Sequence, residues 1–163
     1  MEPHTPNPQE RVALPRPPRL ERRGEDRTLS HGALSEPLLG SLPLARWIPM
    51  DVHSVMDYGN GGLAAASVLL ARDPRAKAAS LFLAASVTGL SLVTDYRLSL
   101  AKLVPIEVHE AGDHLWGVSA IALPFVLGYW KTEPKVALTH VLAGVGTILA
   151  SLVTDYRSWK RRR

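Results

Sequence analysis

The sequence contains no cysteine, and this absence removes several classes of function at once. Disulfides, thiol nucleophiles, zinc–thiolate sites and cysteine-ligated iron–sulfur clusters all require that side chain. No group of residues resembles a nucleophilic triad, a phosphate-binding loop or a metalloprotease helix, and the glycine-rich residues 59–62 follow no strand. We therefore predict no catalytic residues and favour a non-enzymatic protein, and the sequence leaves the question of enzymatic activity open.

Charge and proline are scarce in most of the chain but not at its beginning. Residues 1–48 hold eight of the thirteen prolines and thirteen charged residues, whereas residues 49–163 contain long uncharged stretches. Because a Pro- and Arg-rich segment buries too little apolar surface to offset its ordering entropy, residues 1–43 are predicted to form a disordered tail. The basic segment 158–163 predicts a second tail, whose charge is better suited to binding an anionic membrane surface than nucleic acid.

Two parts of the sequence occur twice. Residues 44–53 read LARWIPMDVH and residues 100–109 read LAKLVPIEVH, with identical residues at five positions. The heptapeptide SLVTDYR occurs without change at residues 91–97 and 151–157. Chance is a poor explanation for an identical heptapeptide inside a collinear match, so the chain is predicted to contain an internal repeat.

The offset between the two copies changes along the repeat. It is 56 residues at the first match and 60 at the second, so the second copy carries a four-residue insertion. Pro74 and Pro134 already correspond at the longer offset, which puts the insertion before them. We predict a first repeat at residues 44–98 and a second at residues 99–157.

Each repeat contains two apolar spans. They run at about residues 52–71, 77–94, 108–130 and 136–154, each close to the length that crosses a bilayer as a helix. A helix of a soluble bundle would show a polar stripe with a period of about 3.6 residues, and the last span shows none. The predicted fold is all-α, a four-transmembrane-helix bundle made of two parallel helical-hairpin repeats. Small residues at four-residue spacing, such as Gly62 with Ala66 and Ala85 with Gly89, predict close helix packing.

Basic residues predict the orientation. One set of helix ends carries eight Lys and Arg residues and the other carries five, so both termini are predicted to be cytoplasmic in a multi-pass protein of the inner (plasma) membrane. Each repeat crosses twice, so the copies should be related by a pseudo-two-fold axis along the membrane normal. The predicted partners are the lipid bilayer and either a second copy of the chain or a larger membrane complex. We predict no nucleic-acid partner and identify no small-molecule substrate.

Histidine and aspartate side chains are the most informative polar residues. His53 with Asp57, and His109 with Asp113, have the i, i+4 spacing that puts both side chains on one helix face. Ionisable groups in a membrane usually face the protein interior, so the two pairs are expected to face each other. The predicted site contains six residues, with two further candidates outside it. The six are His53, Asp57, Asp95, His109, Asp113 and Asp155, and the further candidates are His114 and His140.

Three interpretations of these residues remain open. In the leading one they form a structural polar network in a non-enzymatic structural or accessory subunit, and no cofactor is predicted. In the second, His53 and His109 ligate the iron of a b-type haem in a redox subunit. In the third, the carboxylates and imidazoles form a path for protons or ions. The sequence leaves the question of a metal ion undecided.

The repeated motifs resemble a known family. Pro-x-x-x-His-x-x-x-Asp, an apolar hairpin and Leu-x-Thr-Asp-Tyr occur twice within residues 44–157, and this arrangement resembles the bacterial SPW-repeat membrane proteins. The resemblance implies a four-helix integral membrane protein without an assigned activity, so it implies no catalytic residues. The family is named for a Ser-Pro-Trp motif late in the first helix of a repeat. The second repeat of this chain has Leu-Pro-Phe there, at residues 123–125, and the first repeat has no proline at the equivalent place.

Overall fold

The structure, a computed structural model, describes residues 44–158. This part of the chain contains four α-helices and one pair of two-residue parallel strands. In chain order they are β1 (Ile48–Pro49), α1 (Met50–Leu70), α2 (Pro74–Val93), α3 (Ile106–Val126), α4 (Pro134–Leu152) and β2 (Thr154–Asp155). The prediction of an all-α fold with four helices is confirmed. The predicted tail at residues 1–43 and the basic residues 159–163 lie outside the described part.

The helices form two hairpins, α1 with α2 and α3 with α4. Proline begins α2 and α4 and immediately precedes α1 and α3, where its missing N–H leaves no helical hydrogen bond unmade. The turn of the first hairpin comprises residues 71–73, and that of the second comprises residues 127–133. The second turn is longer by the four residues that the offset between the repeats requires.

Backbone hydrogen bonds join the end of each hairpin to the start of the other. β1 pairs with β2 in parallel, with Ile48 opposite Thr154, and an isolated parallel bridge joins Thr94 to Val104. The residues on the two bridges correspond to each other at the offsets of the repeat. The four hydrogen bonds run from Trp47 N and Ile48 N to Val153 O (2.9 and 3.0 Å), and from Leu103 N and Val104 N to Val93 O (2.9 Å each).

Burial follows an inside-out pattern. Large apolar side chains on all four helices are exposed, among them Leu69 (86%), Leu115 (70%) and Leu142 (61%). The interior holds alanines and several larger apolar or aromatic residues together with many polar ones, and His53 and Asp57 are at most 1% exposed. Soluble monomers rarely expose so much large apolar surface.

Two of the four described helices, α2 and α4, are long and apolar enough to cross a membrane. We expected four such spans from the sequence, but α1 and α3 do not meet the same criterion of length and composition. The histidines and aspartates of the predicted site lower the mean hydropathy of these two helices. Length and composition therefore support two of the four predicted spans.

Close packing of helix backbones occurs at one pair of glycines. A Cβ atom on Gly144 would lie 2.5 Å from the carbonyl oxygen of Gly117, so α3 and α4 approach closely there. By contrast, a Cβ on Gly62 or Gly89 would contact nothing within 4 Å. The expectation of close packing at those two glycines was wrong, because they lie on outward faces of α1 and α2.

Candidate functional site

His53, Asp57, His109 and Asp113 meet in the interior of the bundle, and we call them the His–Asp quartet. All four are at most 1% exposed. The shortest contacts cross between helices, with His53 Nε2 3.0 Å from Asp113 Oδ2 and His109 Nε2 3.1 Å from Asp57 Oδ2. Within each helix the imidazole Nε2 lies 3.5 Å from the nearer carboxylate oxygen. Each carboxylate therefore contacts both imidazoles, using a different oxygen for each.

The local sequence explains how the quartet assembles. Each hairpin supplies one histidine and, one helical turn later, one aspartate, in the first two turns of α1 and α3. The buried residues of both helices recur every three or four positions, so each pair points inward. Neither hairpin contains more than half of the site.

Two threonines fix the orientation of the imidazoles. Thr94 Oγ1 donates its proton to the carbonyl oxygen of Leu90 at 2.6 Å and lies 3.0 Å from His109 Nδ1. Thr154 Oγ1 donates to the carbonyl oxygen of Ala150 at 2.7 Å and lies 2.8 Å from His53 Nδ1. A hydroxyl has one proton to donate, so each threonine must accept from the Nδ1–H of its histidine.

This tautomer has an electrostatic consequence. In a neutral imidazole that is protonated at Nδ1, the Nε2 atom carries a lone pair. In both histidines Nε2 faces carboxylate oxygens, which are acceptors when ionised. Two lone pairs at about 3 Å repel each other, so positive charge must lie between them. Either protons on the quartet or a bound cation can supply it.

No family model, no curated protein and no solved structure matches the chain.

Further hydrogen bonds surround the carboxylates. Tyr156, which follows α4, donates its hydroxyl to Asp113 Oδ2 at 2.6 Å, and burial raises the pKa of this phenol well above its ordinary value. Ser91 Oγ lies 3.4 Å from Asp57 Oδ2. Tyr96 corresponds to Tyr156 in the first repeat, yet its buried hydroxyl has no hydrogen-bond partner within the described residues. Asp57 Oδ1 is likewise buried and without a hydrogen bond.

The other predicted site residues have different surroundings. Asp95 lies 4.0 Å from Lys102, and Asp155 Oδ1 accepts from the backbone N–H of Arg157 at 3.2 Å. The half-buried His114 lies on α3, and its Nε2 is 3.3 Å from Ser151 Oγ on α4. The quartet is contacted instead by Thr94, Thr154 and Tyr156, the neighbours of the two aspartates that the sequence suggested.

His140 belongs to a separate polar cluster at the opposite end of the bundle. Its Nδ1 lies 2.8 Å from the hydroxyl of Tyr129, and its Nε2 lies 3.1 Å from Ser80 Oγ. Ser80 and His140 occupy corresponding positions of the two repeats. This cluster ties α2, α4 and the turn after α3 together.

The two hairpin turns are joined by hydrogen bonds to acidic side chains. Glu133 Oε1 accepts from the backbone N–H groups of Arg72 (2.6 Å) and Asp73 (2.9 Å), and Thr132 donates to Asp73 Oδ2 at 2.8 Å. The bond from Thr132 lowers the pKa of Asp73, and the bond from the N–H of Asp73 lowers the pKa of Glu133. Both turns are therefore held together through carboxylates that ionise readily.

A mostly apolar cleft of about 420 Å³ lies between α2 and α3. Phe82, Leu90 and Trp116 are among its lining side chains, and Asp113 of the quartet lies at its inner surface. One side chain of the buried quartet therefore borders a cleft whose walls are mostly apolar.

The geometry bears on the alternatives of haem and of a proton path. The carboxylates of Asp57 and Asp113 occupy the space between the two imidazoles, which favours a small ion over a planar haem. A continuous proton path needs polar groups along the bundle, and one such contact beside the quartet is the hydrogen bond that Asn60 Nδ2 donates to Thr147 Oγ1 at 2.9 Å. The quartet itself is compact, because its four side chains contact one another.

Proposed function

We propose that the chain is an integral membrane protein whose four helices all cross the bilayer, with a structural or accessory role rather than a catalytic one. The observation that carries the proposal is the inside-out burial, with large apolar side chains outside and the ionisable ones inside. In water this pattern exposes apolar surface at a large cost, and in lipid it is the expected arrangement.

The helices α1 and α3 require a separate argument, because their composition is too polar to suggest a membrane span. The polar residues that lower their apolar content are mostly buried, as are His53, Ser54 and Asp57 in α1. Their outward faces carry residues such as Val55 and Leu115, which are 60% and 70% exposed. Since lipid contacts only the outward face, this distribution supports membrane spans for α1 and α3 as well.

Orientation and partners follow the same proposal. Both termini are cytoplasmic because basic residues are more numerous beside the starts of α1 and α3 and the ends of α2 and α4. The two hairpins then run parallel about a pseudo-two-fold axis along the membrane normal in the plasma membrane. The corresponding contacts of the two hairpins support this axis. The relation to the SPW-repeat membrane proteins rests on the repeated sequence motifs alone.

An accessory role is supported by the way in which the charged interior is used. The quartet side chains contact one another and bind the two hairpins together across the bundle. We propose that the protein is a compact scaffold whose outward faces pack against lipid, a second copy of the chain or a larger membrane complex. We propose no nucleic-acid partner and no catalytic residues.

Membrane extraction and cysteine labelling test the proposal. The protein should stay in the membrane fraction in alkaline carbonate and dissolve in mild detergent, and release by carbonate would refute the membrane assignment. The chain has no cysteine, so single cysteines report topology without background. Cysteines within residues 72–76 or 131–135 should react with an impermeant maleimide from outside the cell, and matched cysteines within residues 98–101 should react only after lysis. The reverse pattern would refute the orientation.

The accessory role has its own test. The natively expressed protein is isolated in mild detergent, and its associated chains are identified by mass. Recovery of a defined membrane complex or a stable oligomer supports the accessory role. A monomer that carries a Soret band, or that conducts protons in liposomes, would contradict it.

A further inference from the structure

We infer that the His–Asp quartet is a binding site for one divalent transition-metal ion of the Zn²⁺, Fe²⁺ or Mn²⁺ class. The inference does not depend on whether all four helices cross a membrane. It starts from the four ligand atoms, one from each of His53, Asp57, His109 and Asp113, which all lie within 4.8 Å of one another.

The spacing of the donor atoms fits a tetrahedral ion. Metal–ligand distances of about 2.0–2.1 Å place neighbouring ligands of a tetrahedron about 3.3 Å apart. The four imidazole–carboxylate separations in the quartet are 3.0, 3.1, 3.5 and 3.5 Å. In these contacts each carboxylate approaches the two imidazoles through different oxygens. With one donor atom from each residue, the four donors lie within 4.8 Å of one another, so the side chains must approach by up to about 1.5 Å to enclose an ion.

The imidazoles are already in the form that binds metal. A histidine ligand usually donates its other ring N–H to a neighbouring acceptor, which fixes the tautomer and the ring orientation. Thr94 and Thr154 provide that acceptor to Nδ1 of His109 and His53. Both Nε2 lone pairs are thereby directed toward the centre of the quartet. A cation there removes the repulsion between those lone pairs and the carboxylates.

The carboxylates provide an independent indication. Tyr156 donates to Asp113 in the manner of an outer partner that orients a ligand. Asp57 Oδ1 is buried, has no hydrogen bond to any residue within 44–158 and lies 3.5 Å from His53 Nε2. A buried carboxylate oxygen without a hydrogen bond is costly unless an ion or proton satisfies it. A metal at the centre of the quartet would satisfy it directly.

Charge and ligand type identify the class of ion. Two carboxylates neutralise a divalent cation, so the filled site carries no net charge in an apolar interior. Two imidazole nitrogens favour first-row transition ions over Mg²⁺ and Ca²⁺, which prefer oxygen ligands. The chain has no cysteine to provide soft thiolate ligands. The set of two nitrogens and two oxygens therefore fits Zn²⁺, Fe²⁺ or Mn²⁺.

The test measures metal binding by the full-length protein, purified in mild detergent without a polyhistidine tag. Elemental analysis of the protein should find one divalent ion per chain. After chelation, titration with Co²⁺ should produce the strong visible absorption of a tetrahedral site at one equivalent. X-ray absorption of the Zn²⁺ form should find nitrogen and oxygen ligands with two imidazoles. These measurements on the unaltered chain do not depend on whether any variant folds.

Variants separate the quartet from the other buried histidine. Asp57→Asn and His109→Gln keep the side-chain volume and should lower Co²⁺ affinity at least tenfold, and Thr94→Val should lower it about 10–100-fold by removing the acceptor of Nδ1–H. His140→Gln alters the separate cluster and should bind Co²⁺ as the unaltered protein does. Monodisperse elution from a sizing column checks that each variant folds.

Two results would overturn the inference. One is a chain that binds no stoichiometric Zn²⁺, Co²⁺, Fe²⁺ or Mn²⁺ after chelation and whose thermal stability none of these ions changes. That result would identify the quartet as an ion-pair network held by protons. The other is unchanged Co²⁺ affinity in folded Asp57→Asn and His109→Gln proteins, which would put the bound metal elsewhere.

Discussion

The close approach of α3 and α4 at Gly144 leads to a prediction whose magnitude follows from the structure. In Gly144→Ala the new Cβ atom would lie 2.5 Å from the carbonyl oxygen of Gly117, and ordinary van der Waals contact begins at 3.4 Å. The two helices must therefore separate by about 0.9 Å, because the atom in contact is backbone and cannot rotate away. A gap of this size loses a quarter to a half of the dispersion energy of the atoms beside it. We expect the free energy of unfolding to fall by about 1–3 kcal/mol.

Gly146→Ala is the matched control on the same helix. A Cβ atom on Gly146 would contact nothing within 4 Å, so only the preference of helices for alanine acts there, raising stability by about 0.5–1 kcal/mol. The two variants should thus differ by about 1.5–4 kcal/mol. Reversible unfolding in mixed detergent micelles, followed by far-ultraviolet circular dichroism, measures the difference. Equal effects of the two substitutions would show that α3 and α4 do not pack closely at Gly144.

Two further predictions concern polar contacts. Tyr129→Phe should lower the free energy of unfolding by about 1–2 kcal/mol, because His140 loses its 2.8 Å hydrogen bond to the Tyr129 hydroxyl. Tyr96→Phe should change the free energy of unfolding little, because the Tyr96 hydroxyl has no partner among the described residues. Thermal unfolding in detergent compares the two, and similar losses would contradict the assigned bonds. Folding lowers the pKa values of Asp73 and Glu133. Both carboxylates therefore stabilise the folded protein above their unfolded pKa values of about 4, and this stabilisation is lost as the pH falls through the lower folded pKa values. Asp73→Asn combined with Glu133→Gln should therefore flatten the fall of the unfolding midpoint in acid, and an unchanged acid limb would contradict it.

The repeat in the sequence predicted much of the architecture. The paired motifs suggested two helical hairpins, and the change of offset assigned the insertion to the region before Pro134, where the structure has the longer turn. The spacing of His53 and Asp57 predicted a shared face. What the spacing could not reveal is that His53 lies closer to Asp113 than to Asp57, because that contact depends on how two hairpins pack.

The residues around the quartet were missed for a local reason. Within SLVTDYR the charge of Asp95 and of its copy Asp155 suggested the site residues, although Thr94 and Thr154 contact the imidazoles. The helix ends at this point and Thr94 has an extended backbone, so the following residue points in another direction. Ser91 and Thr94, three positions apart on one helix face, were the signal available in the sequence.

The apolar composition of the helices was also an incomplete guide. It identified α2 and α4, whose side chains are apolar on nearly every face, but α1 and α3 combine an apolar outer face with a polar inner one. Average composition cannot separate the two faces of a helix. Only the packed structure shows which side chains of α1 and α3 lie on the outer face and which contact one another in the interior.

Because the end of each hairpin is hydrogen-bonded to the start of the other, the four helices follow one another around the bundle without a distinct first or last helix. Val153 O accepts from Trp47 N and Ile48 N as Val93 O accepts from Leu103 N and Val104 N, although only the second pair is joined by a short connecting segment. The covalent link between the hairpins is therefore not what specifies their arrangement. A circularly permuted gene, opened within residues 98–101 and joined by a linker from Ser158 to Leu44, should encode a protein with the same interior.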